Sequence, residues 1–356
     1  MRSKIIIAAS AVIIIIIAVI LLTILSPIDP VSYHPPRKPA MTGVLSPNSL
    51  LDNVNIIAAG KVDGPEDLAF DKQGRLYTGT ADGAIIRITT DGAAEAFAKT
   101  GGRVLGLRFD PLGNLIVCDA YQGLLSIDKN GSITTLATAA EGVKFKTTDA
   151  LDISRDGTIY FTDGSDKFFL DDFLLDMMEA RPHGRFMRFD PATKKVTVLL
   201  RGLCFANGVA LSQNEEFVLI NDTFRYRVMR YWLKGPKAGT SDIFIENLPG
   251  MPDNISSNGA GTFWLALFTT RNDVLDLVHR FPLIKKLAGS LPHFLWARSA
   301  KHGFVVSLDE RGKITGSLQD SDGSTLYNIT SAVEHGGHLY LGSLTADRIG
   351  RYRLER

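Results

Sequence analysis

The sequence is poor in the residues and motifs that mark several enzyme classes. It contains two cysteines, Cys118 and Cys204, which are far apart and not in a CxxC pair. This spacing favours buried apolar residues over metal ligands or a redox pair, with a disulfide in an oxidising compartment as the alternative. Neither GxSxG nor HExxH is present. The sequence therefore gives no support to a serine hydrolase or a zinc protease of those types.

An excess of charge of either sign is also missing. The chain has 39 Lys and Arg against 38 Asp and Glu, for a formal net charge of +1. Binding to nucleic acid depends on a basic surface that neutralises phosphates, and no basic stripe supplies one here. We therefore expect no nucleic-acid partner, and nothing in the composition identifies a protein partner.

Charge is absent from one long stretch near the N-terminus. Residues 5–25 consist mainly of Ile, Val, Leu and Ala, and about 20 apolar residues are enough to cross a bilayer as a helix. We expect residues 1–26 to form a cytoplasmic stub and a transmembrane anchor. A cleaved signal peptide is the competing interpretation, but its apolar region is usually about 7–15 residues long. Arg2 and Lys4 would keep the N-terminus cytoplasmic and place the remainder on the extracytoplasmic side.

Prolines crowd the segment that follows the apolar stretch. Such a segment forms neither helix nor strand and behaves as a semi-rigid spacer. We expect residues 27–42 to be a proline-rich stalk and residues 43–356 to be the folded domain.

A short motif recurs six times along that domain. Each copy has a few apolar residues, a turn built on Asp, Asn or Gly, and a second β-rich run. The copies begin at Leu68, Leu107, Leu151, Val209, Ile255 and Ala332. A spacing of about 40 residues is typical of four-stranded propeller blades. The sequence therefore predicts an all-β fold, a six-bladed β-propeller, in which the longer gaps in blades three and five hold insertions.

Acidic or amide residues stand just before four of these copies. They are Glu66, Asp149, Asn207 and Asp253, the last followed by Asn254. Equivalent positions of different blades converge on the central channel, so these side chains should face one another. Carboxylate and amide oxygens suit Ca²⁺ best, whereas Mg²⁺ requires a tighter octahedron and Mn²⁺ or Zn²⁺ can substitute. The competing interpretation is that each one bonds backbone amides at a turn.

Several stretches of the chain resemble one family. They are Gly64-Pro65-Glu66-Asp67, Ile159-Tyr160-Phe161-Thr162-Asp163, Asn207-Gly208-Val209, Pro249-Gly250-Met251-Pro252-Asp253-Asn254-Ile255 and Glu334-His335-Gly336-Gly337-His338. The chain resembles the calcium-dependent propeller hydrolases of the SMP-30/gluconolactonase and paraoxonase group, and most closely their strictosidine synthase-like branch. The similarity runs from about Gly43 to the C-terminus.

The resemblance implies that Glu66, Asn207 and Asp253 bind a channel Ca²⁺, with Asn254 and Asp149 as additional ligands. One departure is that the family's Asn-Asp pair of the third blade is replaced by Thr148-Asp149. Strictosidine synthases also use a last-blade glutamate for proton transfer, and counting back from Glu334 places Thr330 at that position. The resemblance therefore implies that this chain is not a true strictosidine synthase.

The function that we expect is hydrolysis of small hydrophobic esters or lactones, of the arylesterase or lactonase type. A channel cation can polarise the carbonyl group, and Asp253 or Asp149 is the candidate for activating water. His183, His293 and His302 are alternative bases, with a surface position as the competing interpretation. The competing function is a non-catalytic propeller that binds a partner and holds a structural Ca²⁺.

The two insertions are apolar and have spacing compatible with helices. They cover residues 168–180 and 274–296. Either they form a lid that selects a hydrophobic ester or contact lipid beside the anchor, or they simply cover exposed strand edges.

Overall fold

Six four-stranded antiparallel sheets and one two-stranded sheet make up the structure. The structure is a computed structural model, and it describes residues 2–292, 296 and 299–354. The first strands of the six sheets contact one another in a closed cycle, β2 to β6, β12, β16, β20, β24 and back to β2. The predicted six-bladed β-propeller is confirmed, and a central channel runs between these inner strands.

The strands lie in blades as follows. Blade 1 has β2 (Leu68–Phe70), β3 (Leu76–Gly79), β4 (Ala84–Ile88) and β5 (Ala94–Lys99), and blade 2 has β6 (Val104–Phe109), β7 (Leu115–Asp119), β8 (Gly123–Ile127) and β9 (Ile133–Ala137). The small sheet is β10 (Ala139–Ala140) with β11 (Val143–Lys144). Blade 3 has β12 (Thr148–Ile153), β13 (Ile159–Asp163), β14 (Gly184–Asp190) and β15 (Lys195–Leu203), and blade 4 has β16 (Ala206–Leu211), β17 (Phe217–Asp222), β18 (Arg227–Trp232) and β19 (Ser241–Ile245). Blade 5 has β20 (Gly250–Ser257), β21 (Thr262–Thr270), β22 (Gly303–Asp309) and β23 (Ile314–Asp320), and blade 6 has β24 (Ile329–His335), β25 (His338–Ser343), β26 (Ile349–Arg353) and β1 (Asn55–Ile57).

The recurring turn of the sequence joins the first two strands of a blade. In blade 1 the Oδ1 atom of Asp71 accepts hydrogen bonds from the backbone N–H groups of Gln73 and Arg75, both 2.9 Å. Gly74 has a φ of +78°, a conformation that side chains disfavour. The turn thus requires an acceptor at its start and glycine near its end, which explains why both recur.

Blade 6 is completed by both ends of the domain. Strand β1 pairs antiparallel with β26, with Asn55 opposite Arg351 and Ile57 opposite Ile349. The ring is therefore closed by backbone hydrogen bonds between the beginning and the end of the propeller.

The predicted insertions in blades three and five are present and helical. Helix α2 (Phe173–Glu179) lies between β13 and β14, and helices α3 (Asp273–Val278) and α4 (Pro282–Gly289) lie between β21 and β22. The side chain of Asn272 caps α3 by accepting hydrogen bonds from the N–H groups of Val274 and Leu275.

The N-terminal apolar stretch forms helix α1 (Arg2–Ile24). Among the residues that the structure describes, however, no helix combines the length and the hydropathy needed to cross a membrane. The transmembrane helix that we expected over residues 5–25 is therefore not confirmed.

The proline-rich segment after α1 lies along the propeller. The N–H group of Val31 donates to the carbonyl of Glu179 (3.1 Å), and that of Tyr33 donates to the carbonyl of His279 (2.9 Å). The Arg271 guanidinium donates to the Pro36 carbonyl (2.6 Å). Residues 27–38, which we call the strap, thus pack on the helical insertions and do not extend away as the stalk interpretation supposed. The domain boundary at residue 43 stays a prediction.

The two cysteines occupy separate places in the fold. Cys118 and Cys204 are both buried and both free. This agrees with the prediction that they are buried apolar residues.

Candidate metal centre

The residues that face the channel occupy one equivalent position in every blade. Counting back two positions from the matching inner-strand residues Leu68, Leu107, Leu151, Val209, Ile255 and Ala332 gives Glu66, Leu105, Asp149, Asn207, Asp253 and Thr330. We call these six residues the channel ring. In blades 2–6 the strand pairing shifts register at this point, and such irregularities re-aim side chains.

Contacts between blades bring the predicted ligands together. Asn207 donates from Nδ2 to Oδ1 of Asp253 (3.1 Å), and Asn254 donates from Nδ2 to Oε1 of Glu66 (2.7 Å). The carboxyl groups of Glu66 and Asp253 are near enough to share a hydrogen bond. The structure therefore places Glu66, Asn207, Asp253 and Asn254 in one connected cluster, although their role as ligands stays a prediction.

Glycine permits this close approach of the blades. A Cβ atom at Gly208, directly after Asn207, would lie 2.5 Å from the carbonyl oxygen of Asp253. At Gly106, directly after Leu105, a Cβ atom would lie 2.7 Å from the carbonyl oxygen of Asp149. Both distances are shorter than real Cβ contacts, so any other residue would separate neighbouring blades at the channel ring.

Burial raises the pKa values of the ring carboxyl groups, and for Glu66 and Asp149 neighbouring carboxylates raise them further. Burial raises the pKa of Glu66 well above its usual value, and the charges of Asp253 and Asp149 raise it further. Burial and then the charge of Asp253 likewise raise the pKa of Asp149 well above its usual value. Burial raises the pKa of Asp253 to about 7, against the hydrogen bonds from Asn207 and Glu66. Three carboxylates so placed need protons or a cation to neutralise them.

Several oxygens of the centre are buried and have no hydrogen-bond donor. They are Oε2 of Glu66, Oδ1 of Asn207 and, beside Asp149, Oγ1 of Thr148. Buried polar atoms are normally paired, and each exception calls for an explanation. A bound cation would satisfy these acceptors, so the orphaned oxygens fit an ion-binding centre.

The composition of the centre is mixed. Counted as His, Cys, Asp and Glu alone, the described residues contain no group of three close enough to hold a metal ion. The cluster instead combines carboxylate and amide oxygens, the donor set that Ca²⁺ accepts.

The remaining two ring residues were not predicted as parts of the site. Leu105 is only 2 % exposed and closes the blade 2 side with an apolar side chain. Thr330 donates from Oγ1 to the carbonyl oxygen of Glu66 (2.7 Å) and so fixes the backbone of that residue. It stands two residues before Ala332, the same offset as the predicted ligands, and the strand pairing of blade 6 agrees with this equivalence.

Next to the ring, an ion pair joins blades 1 and 2. Arg108 donates from Nη1 to Oδ2 of Asp67 (2.6 Å), and the side chain of Asp67 is only 1 % exposed. A cavity of about 310 Å³ is lined by Arg108 and, at the other end of the inner strands, by Phe70, Ser256 and His335 among others.

The histidines considered as bases lie away from the ring. His183 contacts Oε1 of Glu179 (2.8 Å) on α2, and His302 contacts Gln319 (3.2 Å) in blade 5. His293 lies outside the described residues. The acids of the ring are therefore the candidates that the structure brings nearest to the orphaned oxygens.

Similarity to known proteins agrees with this architecture. The family model described as strictosidine synthase matches residues 149–236, and the model of the strictosidine synthase-like N-terminal region matches residues 43–88. Adipocyte plasma membrane-associated protein of Rattus norvegicus is 37 % identical over 354 residues, covering 93 % of this chain and 94 % of the relative. The chain belongs to the strictosidine synthase-like family.

Another relative of this strictosidine synthase-like chain comes from a plant. Strictosidine synthase-like protein 6 of Arabidopsis thaliana is 38 % identical over 320 residues and covers 85 % of this chain and 82 % of the relative. The animal relative and the plant relative are thus both matched over more than four fifths of their own length.

Solved structures share the fold at low identity. A gluconolactonase of Xanthomonas campestris superposes with a TM-score of 0.63 and 15 % identity, covering 93 % of this chain and 99 % of that one. A calcium-binding protein, regucalcin, of Agrobacterium tumefaciens has a TM-score of 0.61 and 13 % identity, covering 84 % and 93 %. These likenesses establish the propeller fold of the gluconolactonase group.

Proposed function

We propose that this strictosidine synthase-like protein is a divalent-cation-dependent hydrolase of esters or lactones, with Ca²⁺ as its ion. The observation that carries the proposal is the convergence of Glu66, Asp149, Asn207 and Asp253 at one register position of four blades. The unpartnered buried oxygens of Glu66 and Asn207 and the raised carboxyl pKa values both favour a cation. The printed names of the solved neighbours, a gluconolactonase and a calcium-binding protein, add support.

The ring residues would divide the work between them. A bound cation supplies positive charge that polarises a substrate carbonyl group. Glu66 and Asn207 would hold the ion through Oε2 and Oδ1, the atoms that have no partner of their own. Asp253 or Asp149 would accept the proton of an attacking water, since both carboxyl groups belong to the channel ring that would hold the ion.

The blade 6 position argues against an amine condensation. Thr330 presents a hydroxyl group that is bonded to the Glu66 carbonyl, and a threonine cannot exchange protons as a carboxylic acid does at neutral pH. We therefore propose a hydrolase and not a strictosidine synthase.

The test is hydrolysis of phenyl acetate and a panel of lactones by the full chain in detergent micelles. We expect turnover that disappears after chelation, returns with Ca²⁺ and is reduced at least about 100-fold in Glu66→Gln and Asp253→Asn. Glu310→Gln, an exposed residue of a surface turn, is the matched control. An absence of turnover on every substrate, with Ca²⁺ still raising thermal stability, would point to the non-catalytic scaffold.

We further propose that helix α1 attaches the protein to a membrane. Ile13, Ile14 and Ile17 are each at least half exposed, and unpartnered apolar helix surface of this kind binds lipid. The rat relative is named as plasma membrane-associated. Membrane flotation of the full chain should fail when all three isoleucines are changed to Asp, whereas Val44→Asp should float normally. Equal flotation of both variants would contradict the proposal.

A further inference from the structure

A second ring of residues lies one step above the channel ring. Two positions before each ring residue, the six blades place Gly64, Arg103, Thr147, Phe205, Met251 and Asn328, and we call these the mouth ring. All six are buried. Two residues along a strand span roughly 7 Å. If a substrate places its reacting carbonyl group at the channel ring, a group roughly 7 Å away along the substrate would therefore contact the mouth ring.

Arg103 is the only cationic member of the mouth ring, and it is 6 % exposed. Its backbone is fixed on both sides, since its N–H donates to Oδ1 of Asp119 (3.2 Å) and its carbonyl accepts from Ala120 (2.8 Å). The guanidinium donates from Nη2 to the carbonyl of Gly64 (3.0 Å). A Cβ atom at Gly64 would lie 2.9 Å from Nη2. Glycine thus makes room for the guanidinium in the ring.

Arg103 makes no direct ion pair among the described residues, although the charges of Glu66 and Asp63 act against the lowering of its pKa by burial. Three arginines are buried among the described residues, Arg103, Arg185 and Arg271. Arg185 pairs with Asp163, and Arg271 pairs with Asp276 at 2.6 Å. For Arg103, the described part of the chain supplies neither an ion pair nor a second side-chain hydrogen bond. A buried arginine without a carboxylate partner is unusual, because desolvating its charge costs free energy that a partner normally offsets.

The guanidinium of Arg103 lies near Glu66 of the channel ring, because the charges of the two groups act on each other. Nε and Nη1 of Arg103 have no hydrogen-bond partner, and neither atom is fully buried. Both can therefore be reached by a ligand. The other polar members of the mouth ring are satisfied, since Thr147 donates to the Phe168 carbonyl (3.1 Å) and Asn328 donates to the Phe268 carbonyl (3.1 Å). Arg103 is therefore the member whose hydrogen-bonding capacity is left for a ligand.

We infer that Arg103 binds a carboxylate of the substrate, so that this site selects esters or lactones that carry a free acid group about 7 Å from the scissile carbonyl. The planar guanidinium matches a carboxylate with two parallel hydrogen bonds, which an ammonium group cannot reproduce. The inference rests on the proposed hydrolytic function and adds the class of substrate to it.

The experiment compares two esters of similar size on the full chain in micelles with Ca²⁺. Phenyl hydrogen adipate carries a free acid whose distance from the ester carbonyl approaches the spacing of the two rings, and phenyl hexanoate lacks the acid. In Arg103→Gln we expect KM for the adipate ester to rise about 10- to 100-fold, the worth of a charge-assisted hydrogen bond, with kcat little changed. The hexanoate ester should change less than about threefold. Arg103→Lys should fall between the two, and Arg348→Gln, on the surface, should match the parent.

The outcomes separate this inference from the proposed function. Equal losses on both esters, or an acid preference that survives Arg103→Gln, would overturn it and leave hydrolysis intact. If the parent hydrolyses neither ester, calorimetric titration of the Ca²⁺-loaded full chain with adipate decides. Binding that weakens at least about tenfold in Arg103→Gln supports the carboxylate site, whereas absent or unchanged binding overturns it.

Discussion

Oδ1 of Asp253 in blade 5 accepts a 3.1 Å hydrogen bond from Nδ2 of Asn207 in blade 4. This contact fixes the orientation of the Asn207 amide and leaves its Oδ1 buried without a donor. The Asn207 amide therefore presents its oxygen as an acceptor to an ion in the centre. The Asp253 carboxylate that orients this amide is itself part of the centre.

Replacing this amide should weaken cation binding. In Asn207→Ala one oxygen ligand and the orienting contact to Asp253 are both lost, so we expect at least a tenfold loss of Ca²⁺ affinity by calorimetry. Asn130→Ala, in an exposed turn, is the control. Unchanged affinity in Asn207→Ala would remove Asn207 from the ligand set.

Removal of the cation should expose the repulsion among the ring carboxylates. Burial and the charges of Asp253 and Asp149 raise the pKa of Glu66, so the chelated protein at pH 8 should melt several degrees below the Ca²⁺-loaded one. Glu66→Gln removes one of these charges. We expect it to raise the melting temperature of the chelated protein and to abolish most of the gain from Ca²⁺. An undiminished gain in this variant would contradict a role of Glu66 in binding.

Asp176 on α2 should make stability depend on pH independently of the ring. Its side-chain oxygens are buried, and burial raises its pKa to about 7, which the nearby Ser165 hydroxyl offsets only in part. A raised pKa in the folded state stabilises the fold below about pH 4, and this contribution is lost as the pH rises through 7. Asp176→Asn should therefore raise the melting temperature at pH 8 relative to the parent and flatten its decline between pH 4 and 8. Parallel pH profiles of the two proteins would contradict this.

Glu179 should hold the strap against the helical insertions. Its Oε2 accepts from the N–H of Asp29 (3.0 Å) and from Lys167, while Oε1 contacts His183. Burial alone would raise the pKa of Glu179, but these hydrogen bonds lower it to about 2. Its contribution is thus present above the usual pKa near 4.5 and is lost as the pH falls toward 2.

In Glu179→Gln we expect the amides of Asp29 and Val31 to exchange hydrogen at least about tenfold faster at pH 7, measured by mass spectrometry. Glu141→Gln, in an exposed pair with Arg201, should leave them unchanged. Equal exchange in the two variants would show that the strap does not depend on Glu179.

The sequence permits the blades and part of the ring to be predicted because both depend on local patterns. The Asp71 to Gly74 turn carries its own hydrogen bonds, so its copies are recognisable one by one, and polar residues at a constant offset from these turns follow. Thr330 stands at the same offset, but its role and that of Arg103 escape this approach. Their roles arise from a contact with the Glu66 carbonyl and from the absence of a carboxylate partner, and neither can be read from neighbouring residues.

The path of the strap could not be predicted for a related reason. Prolines indicate an extended backbone, but what the extended backbone lies against is decided by carbonyls and side chains far along the chain, such as those of His279 and Arg271. The helical insertions, in contrast, were predicted because their apolar composition is a property of the segments themselves.

The pairing of β1 with β26 also has a consequence for biosynthesis. The first strand of the domain leaves the ribosome with no partner and must wait until the last strand has been made. Blade 1 cannot acquire its final neighbour during this interval, and the Thr330 hydroxyl cannot yet hold Glu66. The cation centre should therefore mature last, after release of the nascent chain, so a protein truncated before β26 would lack a competent centre even if its first five blades had folded.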